Sequence, residues 1–248
     1  MRYILAFLYN LWKLYIGLVF ATTLILFYPI FMVLLSKPQL KKHTFPMNIF
    51  WSRIVRILCF YAIERTSAPT AIPAPFIICA NHTSYLDIFI MYSVYPEHRF
   101  LFMGKSEILK YPLIKRFFKD LNIPVDRSNK VRAAKSFIQA RKALREGWCI
   151  VIFPEGGIPH ETPYLAPFKN GAFQLAKSEN VGILPLTFRD NYWLFSDPEN
   201  YLDAALPGLA RIDFHSYISA QQVEAQSFEA LRDLTFSSIN HSLPQKND

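Results

Sequence analysis

The tightest constraint on this chain is a pattern repeated between residues 76 and 188. Short apolar runs end in polar motifs, and segments with helical spacing separate them. Phe76-Ile77-Ile78-Cys79-Ala80, bounded upstream by Pro73 and Pro75, gives way to Asn81-His82-Thr83-Ser84. Five apolar residues between turn signals read as a buried strand. Residues 100–103 run into Gly104-Lys105, the strand at 122–127 ends in Asp126-Arg127, and residues 149–153 run into Pro154-Glu155-Gly156-Gly157. Helical spacing follows at 106–121, 130–145 and 172–177, and a further buried strand is expected at 182–188. Such alternation predicts an α/β fold, with a mixed, largely parallel sheet flanked by helices. In open sheets of this kind the carboxyl ends of parallel strands face one crevice, so the four polar motifs are expected to converge.

His82 falls at the first strand-to-helix corner, and Asp87 lies five residues on. If the chain turns helical between them, with Thr83 and Ser84 as caps, the two side chains face one another. A carboxylate bonded to one imidazole nitrogen selects the tautomer and leaves the other nitrogen to act as a base. That arrangement is two-thirds of a hydrolase triad and suits direct activation of a substrate hydroxyl. The plain alternative is a corner histidine bonded to backbone beside an ordinary capping carboxylate.

Two other motifs carry candidate chemistry. Arg127 offers a planar fork that matches phosphate, and Lys105 offers a point charge. The alternative for Asp126-Arg127 is a surface ion pair. Gly156 and Gly157 allow a backbone to approach a ligand closely, with Glu155 beside them, although a plain strand-to-loop turn has the same composition. In the helix at 130–145, Val131, Ala134, Ile138 and Leu144 are expected inward, and Lys130, Arg132, Lys135, Arg141, Lys142 and Arg145 outward.

The amino-terminal segment has another character. Residues 14–35 hold no charge over 22 positions, enough for a helix of about 33 Å against a hydrocarbon core of about 30 Å. Lys13 and Pro29 interrupt the wider apolar stretch. A basic segment follows (Lys37, Lys41, Lys42, His43), and residues 46–63 read as a basic amphipathic helix suited to a headgroup layer. Either residues 14–35 span a membrane, with the downstream lysines cytoplasmic, or residues 1–63 form a helical hairpin dipped into one leaflet. Both place a globular domain at 64–248 on the cytoplasmic side of a membrane, a bacterial inner membrane being the setting expected. Residues 66–75 are a proline-rich turn, a strand is expected near 60–65 and another near 210–214, and residues 224–241 read as an acidic amphipathic helix.

The net charge of +8 is uneven: residues 99–145 hold 13 Lys/Arg against 3 Asp/Glu, and residues 189–248 hold 4 against 9. This asymmetry argues for a specific anionic partner. It lacks any nucleic-acid-reading motif. Cys59, Cys79 and Cys149 sit in apolar surroundings without a C-x-x-C, which predicts buried reduced thiols, and no zinc-ligand spacing is present.

Taken together, Asn81-His82-x-x-x-x-Asp87, Gly104-Lys105 with Val125-Asp126-Arg127, Phe153-Pro154-Glu155-Gly156 and the proline-centred Ile183-Leu184-Pro185-Leu186 resemble, in order and spacing, the four blocks of the glycerolipid acyltransferases, the family of lysophosphatidic acid acyltransferase. Phe168-Lys169-Asn170-Gly171-Ala172-Phe173 is similar to the segment after the third block. The match covers roughly residues 60–190. It implies a glycerol-3-phosphate-acyltransferase-like fold and transfer of a fatty acyl group from a thioester, on coenzyme A or acyl carrier protein, to the hydroxyl of a lysophospholipid. No cofactor, metal or covalent nucleophile is implied. By resemblance His82 is the general base and Asp87 its orienting partner. Asn81, Glu155, Gly156 and Gly157 fall at the acceptor site, Arg127 and Lys105 at its phosphate, and Pro185 on the acyl-donor side. Backbone N–H groups after His82 are expected as oxyanion donors. Some bacterial relatives carry a two-helix membrane anchor, which favours the hairpin for residues 1–63.

One departure from the family pattern matters. Where Glu-Gly often continues as Thr-Arg-Ser, this sequence has Gly157-Ile158-Pro159, and a basic phosphate-site residue is missing. His160, Lys169 and Arg189 are candidates to compensate. The departure keeps another lysolipid or an aminolipid open as acceptor. A non-catalytic module that binds anionic lipid at a membrane surface is the rival from a different class.

Overall fold

The computed structural model describes residues 2–66, 69, 71–110, 112–126, 128–197 and 200–245, with backbone alone at 108, 112, 113 and 116. The chain packs as two compact units. The first comprises Met1–Thr66, His82–Pro96 and Phe188–Ile212, and the second Ser67–Asn81, Glu97–Thr187 and Asp213–Asp248.

In the first unit, α1 (Arg2–Ser36) runs for about 52 Å at the usual helical rise and is followed by a 3-10 turn (Pro38–His43) and by α2 (Thr44–Leu58). One narrow stripe of α1 is buried along its length: Ala6, Lys13, Ile16, Thr23, Leu24 and Phe31. Near-heptad spacing aligns these residues on one face. Trp51 of α2 fills the middle of the contact. It stacks on Phe20 at 5.3 Å, meets Phe31 edge-on at 5.7 Å, and donates from Nε1 to Thr23 Oγ1 at 2.9 Å. Lys13, which looked like an interruption, has a structural use: its Nζ donates to the carbonyls of Asn200 (2.7 Å) and Asp197 (3.2 Å).

The helix expected over 46–63 stops earlier. Phe60 takes a left-handed φ of 53°, and Tyr61–Arg65 is strand β1, the strand expected near 60–65; Arg56 Nη1 bonds Tyr61 O at 2.9 Å, and the segment pairs in parallel with a later strand. That partner is the Gly208–Ile212 part of Gly208–Phe214.

In the second unit, β2 (Phe76–Ala80) lies between β5 (Cys149–Ile152) and β6 (Gly182–Phe188), and β3 (Phe100–Lys105) and β4 (Ile123–Val125) extend the sheet beyond β5. All five strands are parallel, with Cys79 opposite both Ile152 and Pro185. Every residue of β2 is fully buried, as a central strand covered on both faces requires, so its sequence shows no alternation. Gly208–Phe214 is β7. Arg189 N donates to Arg211 O and His215 N to Pro185 O, so residue numbers rise on one strand as they fall on the other, and β7 is antiparallel to β6. The strand order is β1-β7-β6-β2-β5-β3-β4. The sheet is mixed and largely parallel, as the alternation predicted.

Helices α3 (Leu86–Val94), α4 (Pro112–Leu121), α5 (Lys130–Arg145), α6 (Gly171–Glu179) and α7 (Asn191–Leu194) connect the strands. For α5 the expected inward face holds at Leu144 and not at Val131, Ala134 or Ile138, which are exposed. Val131 and Ile138 are 66% and 64% exposed, whereas Ser136, Ala140, Ala143 and Leu144 are buried. Small residues at 136, 140 and 143 allow close backbone approach, and Ser136 Oγ donates to Pro124 O at 2.6 Å. The expected tail helix is two helices, α8 (Ala220–Ala225) and α9 (Phe228–Asn240), because Ser219 and Ser227 each cap a new helix start, with Ser219 in a reciprocal box with Gln222.

Candidate active site

The corner after β2 is built by local rules. β2 ends at Ala80, α3 begins at Leu86, and the five residues between them are held by side chain–backbone bonds. Ser84 Oγ accepts from Leu86 N at 2.9 Å and itself donates to the carbonyl of Phe195. Asp87, in the first turn of α3, is fully buried. His82 Nδ1 lies 2.9 Å from Asp87 Oδ2, and the imidazole keeps 12% of its side-chain surface exposed. A buried carboxylate therefore bonds one ring nitrogen of a histidine that reaches the surface of its unit.

Asp87 is held from every side that geometry allows. Thr83 N and Ser84 N donate to Oδ2 at 2.8 and 3.0 Å, and Asn191 Nδ2 donates to Oδ1 at 2.6 Å. Bonds to both carboxylate oxygens pin the rotamer of Asp87. One expectation is corrected here. The Thr83 and Ser84 N–H groups, proposed as oxyanion donors, are directed at Asp87. They position the carboxylate rather than a substrate oxygen. Asn191 was not singled out from sequence. It follows a strand 104 residues after Asp87, inside Arg189-Asp190-Asn191-Tyr192, and no spacing rule connects the two.

In the second unit the turns after β3, β4 and β5 hold the remaining candidates. Lys105, exposed at the end of β3, lies over Gly157: a Cβ built on that glycine would sit 3.0 Å from Lys105 Nζ and 3.1 Å from Cε. Gly156 has a φ of 89°, and its N–H closes a turn to Phe153 O at 3.0 Å, so this position needs glycine. Glu155 is buried, and its Oε2 accepts from Ala166 N at 2.9 Å, tying the strand end to the 158–170 loop. Lys169 N closes the same loop onto Pro154 O at 2.9 Å. Gly104 is filled by packing, with Phe118 Cζ 3.2 Å from where its Cβ would be.

Arg127 lies outside the described residues. Its neighbour Asp126 pairs with Arg132 Nη1 at 2.9 Å and accepts from Ser128, whose hydrogen bonds, with Arg132, hold the carboxyl below its usual range. Asn81 is fully buried, His160 and Lys169 are exposed, and Pro185 takes a buried interior place in β6. Among the described residues no cluster of His, Cys, Asp and Glu has the geometry to hold a metal ion.

The mixed, largely parallel sheet flanked by helices is the frame of an acyltransferase. The acyltransferase family profile matches residues 53–189, more than half of the chain, and the protein belongs to that family. A protein of Chlamydomonas reinhardtii named as a 1-acyl-sn-glycerol-3-phosphate acyltransferase is 25% identical over 237 residues, covering 94% of this chain and 69% of the relative. A putative 1-acyl-sn-glycerol-3-phosphate acyltransferase of Caenorhabditis elegans is 31% identical over 145 residues, 57% of this chain and 49% of the relative. The crystal structure of the 1-acyl-sn-glycerophosphate acyltransferase PlsC of Thermotoga maritima shares the fold, with a TM-score of 0.78 over 97% of this chain and 95% of that one at 18% identity.

Proposed function

We propose that this chain is a membrane-associated O-acyltransferase that moves a fatty acyl group from a thioester to the free hydroxyl of lysophosphatidate, giving phosphatidate. The observation that carries the reading is the His82 Nδ1–Asp87 Oδ2 bond with its buried, fully held carboxylate. The names of the relatives supply the acceptor, and the thioester is on coenzyme A or acyl carrier protein.

With its proton on Nδ1 facing Asp87, His82 presents the Nε2 lone pair to the acceptor hydroxyl. The hydroxyl oxygen attacks the thioester carbonyl as its proton passes to Nε2. The ester C–O bond forms, the C–S bond breaks, and the imidazolium returns the proton to the leaving thiolate. Asp87 stabilises the imidazolium between these steps. A positioned general base supplies typically 10²–10⁴-fold, and holding the two substrates together supplies much of the remainder. Lys105 and Arg127 are the proposed phosphate ligands, with Asn81, Glu155, Gly156 and Gly157 shaping the acceptor side.

Membrane association rests on α1 and α2. The best 18-residue window of α1 has a mean hydropathy of 2.5 and is only 17% buried. Phe50, Ile57 and Leu58 of α2 and the adjoining Phe60 are exposed as well. The buried stripe from Ala6 to Phe31, with the Lys13 bonds, keeps α1 along its own unit over its length, which favours a hairpin lying in one leaflet over a spanning helix. The cytoplasmic face of a bacterial inner membrane is the proposed location.

The test is acyl transfer from a labelled acyl thioester to lysophosphatidate by purified protein in detergent, beside His82→Ala. Phosphatidate formed by the wild type alone, with both proteins floating equally with liposomes, is the expected result. Transfer by His82→Ala would overturn the base assignment. Thioester turnover without phosphatidate would overturn the acceptor.

A further inference from the structure

Asn191 has no role in any reading made from the sequence, yet its side chain is fully buried and directed at Asp87. Because a carboxylate accepts and does not donate, the amide must present Nδ2 to Asp87 Oδ1, and this fixes which way the group points. The other end of the amide, Oδ1, is buried with no hydrogen-bond partner among the described residues. An unmatched buried carbonyl is costly, so the residue is a poor choice for stability alone.

The delivery of Asn191 is rigid. Asp190 precedes it and forms a two-pronged pair with Arg211 of β7, Oδ2 to Nε and Oδ1 to Nη2, both at 2.7 Å. Arg189 N bonds Arg211 O at 3.0 Å, so the backbone on the amino side of Asn191 is fixed to β7. The segment after it is tied to the corner by the Ser84 hydroxyl, which donates to Phe195 O. The corner at 82–87 and the segment at 191–195 are thus joined at two points, and one of them is the carboxylate that holds His82.

We infer that Asn191 is a positioning residue for the His82–Asp87 pair, an inference that rests on the proposed base role of His82. Thr83 N, Ser84 N and His82 all converge on Oδ2. Asn191 is the donor that occupies Oδ1 and stops the carboxylate from rotating about its Cβ–Cγ bond. With the carboxylate fixed, Oδ2 keeps the Nδ1 proton and His82 holds the tautomer with its lone pair on Nε2. Without Asn191, the carboxylate loses its lock and the histidine reverts toward the mixture of tautomers of a loosely held imidazole.

The experiment compares wild type, Asn191→Leu and Asn191→Ala by two readouts. The first is the ¹⁵N imidazole spectrum of His82, assigned by its loss in His82→Ala, which reports the tautomer and needs no substrate. The second is kcat and KM for transfer to lysophosphatidate. In Asn191→Ala the donor to Asp87 Oδ1 is removed without adding bulk to the buried site. This keeps the test alive if Asn191→Leu fails to fold.

The expected result is a single Nδ1–H tautomer in the wild type and a mixture in both variants. With it, kcat falls by about ten- to a hundredfold, the range of a lost hydrogen bond to a charged group, and KM stays within about twofold. A folded variant that keeps the single tautomer overturns the inference, whatever its rate. A mixed tautomer with unchanged kcat overturns it too. If the wild type forms no phosphatidate, the acceptor reading fails, while the tautomer comparison still decides whether Asn191 holds the pair.

Discussion

Lys105 lies across Gly157, its Nζ 3.0 Å and its Cε 3.1 Å from the point where a Cβ on that glycine would stand. A lysine from another strand end thus lies at the glycine that follows Glu155-Gly156. Placing a threonine here, Gly157→Thr, pushes the lysine head aside. Because the obstruction is the flexible end of a side chain, the fold tolerates the change. We expect KM for lysophosphatidate to rise about tenfold, roughly one charge-assisted contact, with kcat within about threefold. Steady-state kinetics at fixed thioester checks it, and Gly157→Ala should show a smaller effect in the same direction.

Asp87→Asn separates charge from shape. The amide oxygen still accepts from Thr83 N and Ser84 N, and a flip of the Asn191 amide satisfies the new N–H₂ group. The corner should therefore keep its structure, with a thermal midpoint within a few degrees of the wild type. Transfer should fall by about 10²–10⁴, because the imidazolium formed at His82 loses its counter-charge. Circular dichroism melts and initial rates on the same preparation decide it, and a variant with near-normal rate would remove Asp87 from the mechanism.

The thiols of Cys79 and Cys149 are fully buried in β2 and β5, and burial raises both to about 12. The thiolate is the reactive species, so at pH 8 neither should react with iodoacetamide while the protein is folded. Mass spectrometry after alkylation, with and without denaturant, gives the comparison. Modification of the folded protein at either position would mean that the sheet opens on the labelling timescale.

His215 follows β7 and donates from Nε2 to Thr187 Oγ1 at 2.8 Å, while Thr187 donates to Ile239 O at 3.0 Å. Burial lowers its pKa below 6.5, with His241 acting in the same direction and Asp213 opposing. A histidine depressed in the folded state binds fewer protons there than in the unfolded chain. Its contribution to stability is therefore complete above the unfolded value and is lost as pH falls from about 6.5 toward the folded pKa. The thermal midpoint should drop on acidification through that window, and His215→Gln should flatten the drop. An equally steep loss in the variant would assign it to other groups.

Much of this protein was legible in its sequence because the determining forces are local. The fully apolar run of β2 marks a strand covered on both faces, and the polar residues that follow it mark where the strand ends. The five-residue spacing from His82 to Asp87 crosses one corner, within reach of rules for caps and tautomers. Where the sequence misled, the competing signals were equally local. The helix at 46–63 ended early once Phe60 turned left-handed and Tyr61–Arg65 found a strand partner. The inward face of α5 kept Leu144 and took the small residues Ser136, Ala140 and Ala143 in place of Val131 and Ile138. Only the tertiary structure decided what happens between residues far apart in the chain. It set Asn191 against Asp87, Lys105 over Gly157, and Lys13 under the carbonyls of Asp197 and Asn200. Each is a hydrogen bond or a close approach set by how distant segments pack, and no periodicity or spacing along the sequence encodes such a meeting.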